Sequence, residues 1–558
     1  MLISFLNLSM ITFVILGYST VAKMFIFKKN SRVENYDFIY GIVFITSILL
    51  LANFFIEINR IYIFIFLFGL IAFFFGFYKN IINIHFKTFF IILFLFCFIT
   101  HNNSLNYDSP FYHLQIIKWI NEYKIPFGLV NLEQRYAMPS AWHIFLSAFS
   151  YDFFKFNPIY LLSLIPFSFL LNQSISEKNF FSVSNLFLVF YNLFLLIFSL
   201  IHPFQDGIIF NHLGSPESDI IGIVFFGFSI YFFLKVLENK KINDFYTLVI
   251  FVFFAIITKI TYVYLIFLII TSGYFFKFKI FKEKKFIIFL IIVSCLWFLR
   301  NLLISGCLIF PISFTCVELP WSNNIDSIEY FFNEAKSWAR ATRDRTEAGN
   351  FAHTLQSFDW FIPWLKDYFI NTSILKILSL SFLLLFLKCI YVLIFQNNKK
   401  KFSLFNHKLI LLMIFFLIGT FVWLQSPEVR YGHGLIISII VFNVICIIKL
   451  SNFKRFLKVN FLKISCYFIF ILLCLKNYDV IKNFNNVFVQ SFDHSEIILV
   501  KETNGFKLYS PNPSTLTNSE YHKFCGDFKG ICGYLNHPNG ISEINIKINK
   551  YGHFYFSQ

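Results

Sequence analysis

Apolar runs close to the thickness of a bilayer recur along this chain, and they restrict the folds open to it. Only 14% of its 558 residues are charged, against 57% hydrophobic and 22% aromatic, which is too little charge to cover a soluble surface. Hydrocarbon admits only segments that satisfy their own backbone hydrogen bonds, so the runs read as helices of a polytopic membrane protein. Helices are expected at about 4–22, 38–57, 61–78, 88–100, 156–173, 183–201, 219–237, 244–258, 260–276, 286–303, 373–395, 409–425, 432–448 and 464–476. The expected fold class is therefore an all-α membrane protein of about 12–14 transmembrane helices.

Charge placement orients these helices. The formal net charge is +17, and the basic residues gather in short connections. Lys23, Lys28, Lys29 and Arg32 follow the first run, and Lys79 and Lys87 flank the third connection. Lys240 and Lys241, Lys282 to Lys285, Lys399 to Lys401, and Lys454 and Arg455 follow later runs. All these connections follow odd-numbered helices. The positive-inside rule places them in the cytoplasm, with both termini extracytoplasmic. The expected location is a cytoplasmic (inner) membrane, crossed many times. This reading accounts for the basic balance without nucleic acid as a partner. The first run lacks a preceding basic stretch and a cleavage site, so it is expected to remain as an anchor.

Two regions follow from composition. Residues 1–476 form the transmembrane part, with outer loops at 101–155, 202–218 and 304–371. Residues 477–558 turn polar and alternate, as in HSEIILVKETNGFKLYSPN, where Asn-Gly marks a hairpin. They predict a small extracytoplasmic β or irregular appendage. Cys307 and Cys316 share one outer loop, and Cys525 and Cys532 share the tail, so either pair could close in an oxidising compartment.

The first outer loop carries most of the polar chemistry. Ser109-Pro110 is a helix start. The following FYHLQIIKWINEY sets Tyr112, Ile116, Trp119 and Tyr123 on one stripe, a pattern that suits the membrane surface as an interfacial helix. Asp108 precedes it. A carboxylate there can cap the helix by accepting backbone N–H groups, or act as a base on a substrate hydroxyl. Glu217 and Asp219 form a second acidic group, with His202, Asp206 and His212 nearby. They can complement a helix dipole, position an acceptor or help hold a divalent cation. Lys259, Arg300 and Arg430 stand at helix ends on the same side. Long cations there can snorkel to the interface, and an Arg fork also suits a lipid phosphate. Glu428 is a local partner for Arg430. Arg340, Arg343 and Arg345 read as solvated ion-pair formers, and Trp338, Trp360, Phe361 and Trp364 as interfacial anchors.

Four motifs carry a resemblance. They are YDSPFYHLQIIKWINEY, GLVNLEQRYAMPSAW, RNLLISGCLIFP and SPEVRYGHG. Together they resemble an uncharacterised bacterial polytopic membrane family that is similar to the GT-C class of membrane glycosyltransferases. The resemblance implies a GT-C-like fold and an inverting transfer of sugar from a polyprenyl-phosphate-type donor on the outer face. It implies Asp108 as the base or acceptor-positioning group. His113, Gln115, Asn131, Arg135, Glu217 and Asp219 are then expected at the substrate, and Lys259, Arg300 and Arg430 at the lipid phosphate. The partners would be a lipid-linked sugar donor, membrane lipid, and a glycan, lipid or protein acceptor. Two features depart from the GT-C pattern: the acidic loop follows the fourth helix, and Tyr107-Asp108 is not an acidic pair. Metal use therefore stays open. Rival readings are a flippase or transporter of lipid-linked substrates, a glycan polymerase or ligase, and a non-catalytic assembly protein.

Overall fold

The structure is a computed structural model that describes residues 2–27, 32–100, 106, 108–151, 157–177, 182–201, 213–276, 283–395, 407–450, 472, 497–503, 506–511, 525, 531–532, 545–548 and 553–557. It is an all-α body in which, among the described residues, six helices are long and apolar enough to cross a membrane, joined by six shorter apolar ones. These helices mark a membrane protein.

The first group is α1 (Leu2–Phe27), α2 (Phe38–Asn53), α3 (Tyr62–Tyr78) and α4 (Phe86–Thr100). α1 meets α3 closely because glycines face each other there. A Cβ on Gly17 would lie 1.9 Å from the Gly69 carbonyl oxygen, so only glycine permits this approach. Next come α5 (Leu114–Glu122), α6 (Ala141–Ser147), α7 (Leu164–Ser176) and α8 (Val183–Ile201). The expected helix over 156–173 starts late, because Asn157 and Pro158 set up a separate 3-10 turn over Pro158–Tyr160.

At the centre is a hairpin of α9 (Asp219–Asn239) and α10 (Ile242–Thr258). Lys240 closes it in the left-handed region at φ 53°, donating its N–H to Val236 O. Phenylalanines knit the hairpin together: Phe228 stacks on Phe251 at 4.6 Å, and Phe38 of α2 stacks on Phe169 of α7 at 4.8 Å. A 3-10 stretch over Ile260–Leu265 then leads into α11 (Ile266–Phe275), where one continuous helix is expected.

α12 (Lys284–Ser305) runs alongside α1 and α2, and a loop region carries α13 (Ile325–Arg340), α14 (Phe351–Thr354) and α15 (Phe361–Asn371). α16 (Ser373–Phe395), α17 (His407–Trp423) and α18 (Val429–Leu450) complete the body. The helix expected at 464–476 lies, apart from Leu472, outside the described residues.

α9 of 21 residues spans roughly 30 Å at 1.5 Å per residue. Asp219 and Lys259 therefore mark one end of the hairpin, and Lys240 and Lys241 the other. α12 and α18 bring Arg300 and Arg430 to the Asp219 end.

In the tail, β1 (Ile497–Thr503) pairs antiparallel with β2 (Phe506–Pro511), which carries β3 (Ile531–Cys532) in parallel. β4 (Asn545–Ile548) and β5 (Phe554–Ser557) form a second antiparallel pair. Both cysteine pairs that could close are disulfides, Cys307–Cys316 and Cys525–Cys532. β5 also straps the segment between α5 and α6. Phe127 donates its N–H to Phe554 O at 2.8 Å, and Phe556 returns one to Phe127 O at 2.9 Å.

That strap corrects one expectation. α5 is not a membrane-surface helix: Ile116, Ile117, Trp119 and Ile120 are buried in protein. Trp119 meets the edges of Phe554 and Phe556, both at 5.7 Å, and Asn53 of α2 donates to Ile120 O and Tyr123 O. The apolar stripe is covered by neighbouring helices and tail rather than by lipid.

Candidate functional site

Asp108 stands at the N-cap of a π-helical turn over Ser109–His113, with Pro110 in its first turn. Its side chain makes no capping hydrogen bond there. The carboxylate instead accepts from Arg430 Nη1, 2.6 Å from Oδ2, and both side chains are half-buried. Such π turns recur at functional sites because they displace one residue from the regular ladder.

The peptide carrying Asp108 is held by the segment before α9. Glu217, which is buried, accepts from Ser109 Oγ at 3.2 Å and Asn106 Nδ2 at 3.1 Å. Ser215 Oγ accepts the Asn106 N–H at 2.9 Å. Two residues after Glu217, Asp219 forms an ion pair with Lys259. Lys259 can reach it because the chain leaves α10 there in an extended conformation, φ −148° and ψ 107°.

The two pairs adjoin through Tyr431. The Lys259 ammonium lies 4.3 Å from its ring centroid and the Arg430 guanidinium 5.3 Å, so one aromatic ring faces both cations. Glu428 is not Arg430's partner, as its position in sequence suggests, but bonds Arg345 at 2.9 Å. The row Asp108–Arg430–Tyr431–Lys259–Asp219 thus gathers residues from four separate parts of the chain.

A second polar group lies along the same π turn. His113 Nδ1 and His143 Nε2 are 2.8 Å apart, so one ring donates and the other accepts. Burial first, then His113 and Arg300, hold the His143 imidazole well below the usual histidine range, and it is neutral at pH 7. Burial, reinforced by Asp108, pushes the Tyr112 phenol well above its ordinary value, so it remains protonated. Arg300 is only 5% exposed. Its Nε has no hydrogen-bond partner, and among the described residues no carboxylate pairs with it.

Other expected residues serve elsewhere. Arg135 does not reach Asp108; it bonds Glu133 at 3.0 Å and lies over the Phe111 ring at 4.7 Å. Asn131 is buried and donates to Trp321 O at 2.9 Å and Phe556 O at 3.1 Å, which fastens the tail strand. Gln115 is 1% exposed inside α5. Arg340 donates to Thr354 O and packs over Trp360 rather than forming a solvated pair. Among the described residues no three His, Cys, Asp or Glu side chains stand together as a metal site. His202, Asp206 and His212 lie outside the described residues.

Tyr431 and His143 were not singled out from the sequence. Tyr431 had a signal in its place beside Arg430, and His143 had none beyond closing the polar stretch. The arrangement offers a carboxylate held by a cation, a second such pair, a neutral buried imidazole and an unmatched guanidinium. It can accept a proton from a hydroxyl and receive an anion. No curated protein and no solved structure matches the chain. The family described as a domain of unknown function, DUF8201, matches residues 1–437, and the chain belongs to that family.

Proposed function

We propose that the protein is a GT-C-like membrane glycosyltransferase. It transfers sugar from a polyprenyl-phosphate-type donor to an acceptor hydroxyl at the Asp108 end, on the extracytoplasmic face. The observation that carries this reading is the Asp108–Arg430 pair beside Asp219–Lys259 at the ends of apolar helices. Polar chemistry at the helix ends suits a lipid-anchored donor whose head lies at the interface. A transporter would set such groups near mid-membrane.

The reaction is a displacement. The acceptor oxygen forms a bond to the anomeric carbon, the bond from that carbon to the phosphate oxygen breaks, and the electron pair leaves on the phosphate. The acceptor proton passes to Asp108. That transfer has a useful electrostatic result: a protonated Asp108 no longer neutralises Arg430, whose charge then faces the leaving phosphate as its own charge develops. Lys259 is matched by Asp219, whereas among the described residues Arg300 has no carboxylate, which suits it to hold a phosphate from the start. His113 bonds His143, on which Arg300 acts electrostatically, and in this reading the His113 ring hydrogen-bonds the sugar or phosphate.

The test uses the full chain in proteoliposomes with labelled sugars on polyprenyl phosphate and diphosphate. Transfer to an acceptor that falls by about 100-fold or more in Asp108→Asn supports the reading. Undiminished transfer by that variant, or no transfer from any lipid-linked sugar, contradicts it.

A further inference from the structure

At the opposite end of the α9–α10 hairpin lies a cavity of about 740 Å³. It is far from Asp108 and independent of the reaction proposed there. Its volume falls in the range of small-molecule sites, and its walls mix aromatic rings with charges of both signs.

Most of its polar groups are already matched. Lys23 bonds Asp37 at 2.5 Å and Arg32 O at 2.7 Å. The Tyr40 hydroxyl meets Thr247 Oγ1 at 3.2 Å. Asp244 is matched only in part. It is 6% exposed, Asn239 hydrogen-bonds its carboxyl, and among the described residues its Oδ2 has no hydrogen-bond partner. Lys235 and Lys241 both act on Asp244 electrostatically without bonding Oδ2, and Lys235 is engaged by Glu177 and the Tyr36 ring. A buried carboxylate oxygen is costly to desolvate unless a donor reaches it. The cavity is the space from which such a donor can come. At its rim, Lys240 and Arg32 are exposed cations, with Lys240 fixed there by its left-handed backbone.

We propose that this cavity binds an ammonium–phosphate zwitterion of the phosphoethanolamine type, its ammonium on Asp244 Oδ2 and its phosphate toward Lys240 and Arg32. A primary ammonium supplies the N–H that Oδ2 lacks, and the aromatic wall, including Tyr246, favours a cation. A quaternary ammonium carries no N–H and cannot make that bond. The same chemistry is offered by a phosphatidylethanolamine head group or by free phosphoethanolamine.

The purified full chain is incubated in detergent with equal amounts of phosphatidylethanolamine, phosphatidylcholine and phosphatidylglycerol, and retained lipid is counted by native mass spectrometry. A parallel arm measures binding of free phosphoethanolamine by calorimetry. We expect about tenfold selectivity for the ethanolamine head in at least one arm, lost in Asp244→Asn. Lys240→Glu, an exposed change that leaves folding intact, should weaken the same binding. Selectivity in the lipid arm alone identifies a lipid ligand, and in the free arm a soluble one; either supports the site. Equal retention of the three lipids with no binding of the free compound overturns it, as does full selectivity in both variants. Because neither arm involves sugar transfer, the outcome is separate from that of the Asp108 assay.

Discussion

Arg430 Nη1 lies 2.6 Å from Asp108 Oδ2, joining residues 322 positions apart into one half-buried ion pair. The pair fastens the segment after α4 to α18, so it is structural and chemical at once. Arg430→Ala strands a carboxylate and should cost more than Asp108→Asn in stability. Loss of one partner of a buried pair costs about 3–5 kcal/mol, and this pair, being half-exposed, should cost less. Thermal unfolding of both variants in detergent checks the order; equal midpoints would contradict it.

Among the described residues Arg300 has no matching carboxylate, whereas Lys259 has Asp219. Arg300→Gln should therefore weaken lipid-linked donor binding by about tenfold or more, while Lys259→Gln should chiefly destabilise the α9–α10 end. Donor affinity measured by calorimetry separates the two. A larger loss of donor affinity in the Lys259 variant would reverse the assignment.

The tail strand is part of the site's scaffold. Phe556→Ala removes a ring packed on Trp119 and leaves a space under α5, with an expected cost of about 3–5 kcal/mol. Asn131→Ala removes two buried hydrogen bonds to carbonyls and should cost about 1–3 kcal/mol. Hydrogen exchange of residues 125–131 should rise in both. Unchanged protection would mean that β5 does not hold the loop.

Much of this arrangement is legible in the sequence, and the rest fails for identifiable reasons. The helix over Ser373–Phe395 stands out because polar residues bound a largely apolar run that Lys376 and Lys388 interrupt without ending. Asp108, Asp219, Lys259, Arg300 and Arg430 are collected at one end because each terminates or precedes a helix on the same side. Pairing within that group is not legible. Arg430 takes Asp108 rather than Glu428, and Glu428 takes Arg345, because the fold brings the distant groups closer than the neighbour in sequence. The burial of α5 is hidden for a different reason. An apolar stripe says only that a face avoids water, and lipid and protein satisfy it equally.

His143 gives a pH dependence with a definite sign. Its folded-state pKa lies below the unfolded value, chiefly through burial. Above about pH 6.5 both states are neutral at this ring and it costs nothing. As pH falls below that, the unfolded chain takes up a proton that the folded chain refuses, and stability drops until the folded pKa is reached. The thermal midpoint should fall between pH 7.5 and pH 5.5, and His143→Gln should reduce that fall. An identical fall in the variant would remove His143 as its source.

Gly17 and Gly69 set the spacing of α1 and α3. Gly17→Ala would force a Cβ onto a backbone oxygen, which cannot swing aside as a side chain can. Overpacking of this kind costs about 1–3 kcal/mol, and thermal unfolding should show it. An unchanged midpoint would mean that the two helices separate freely.

The most direct test of the central claim is initial transfer rate from a lipid-linked sugar by wild type and Asp108→Asn, with both proteins matched for membrane insertion. If Asp108 takes the acceptor proton, the variant loses about 100-fold or more while its donor affinity stays within a few-fold of wild type. A variant that transfers sugar at the wild-type rate would show that Asp108 serves only to anchor Arg430.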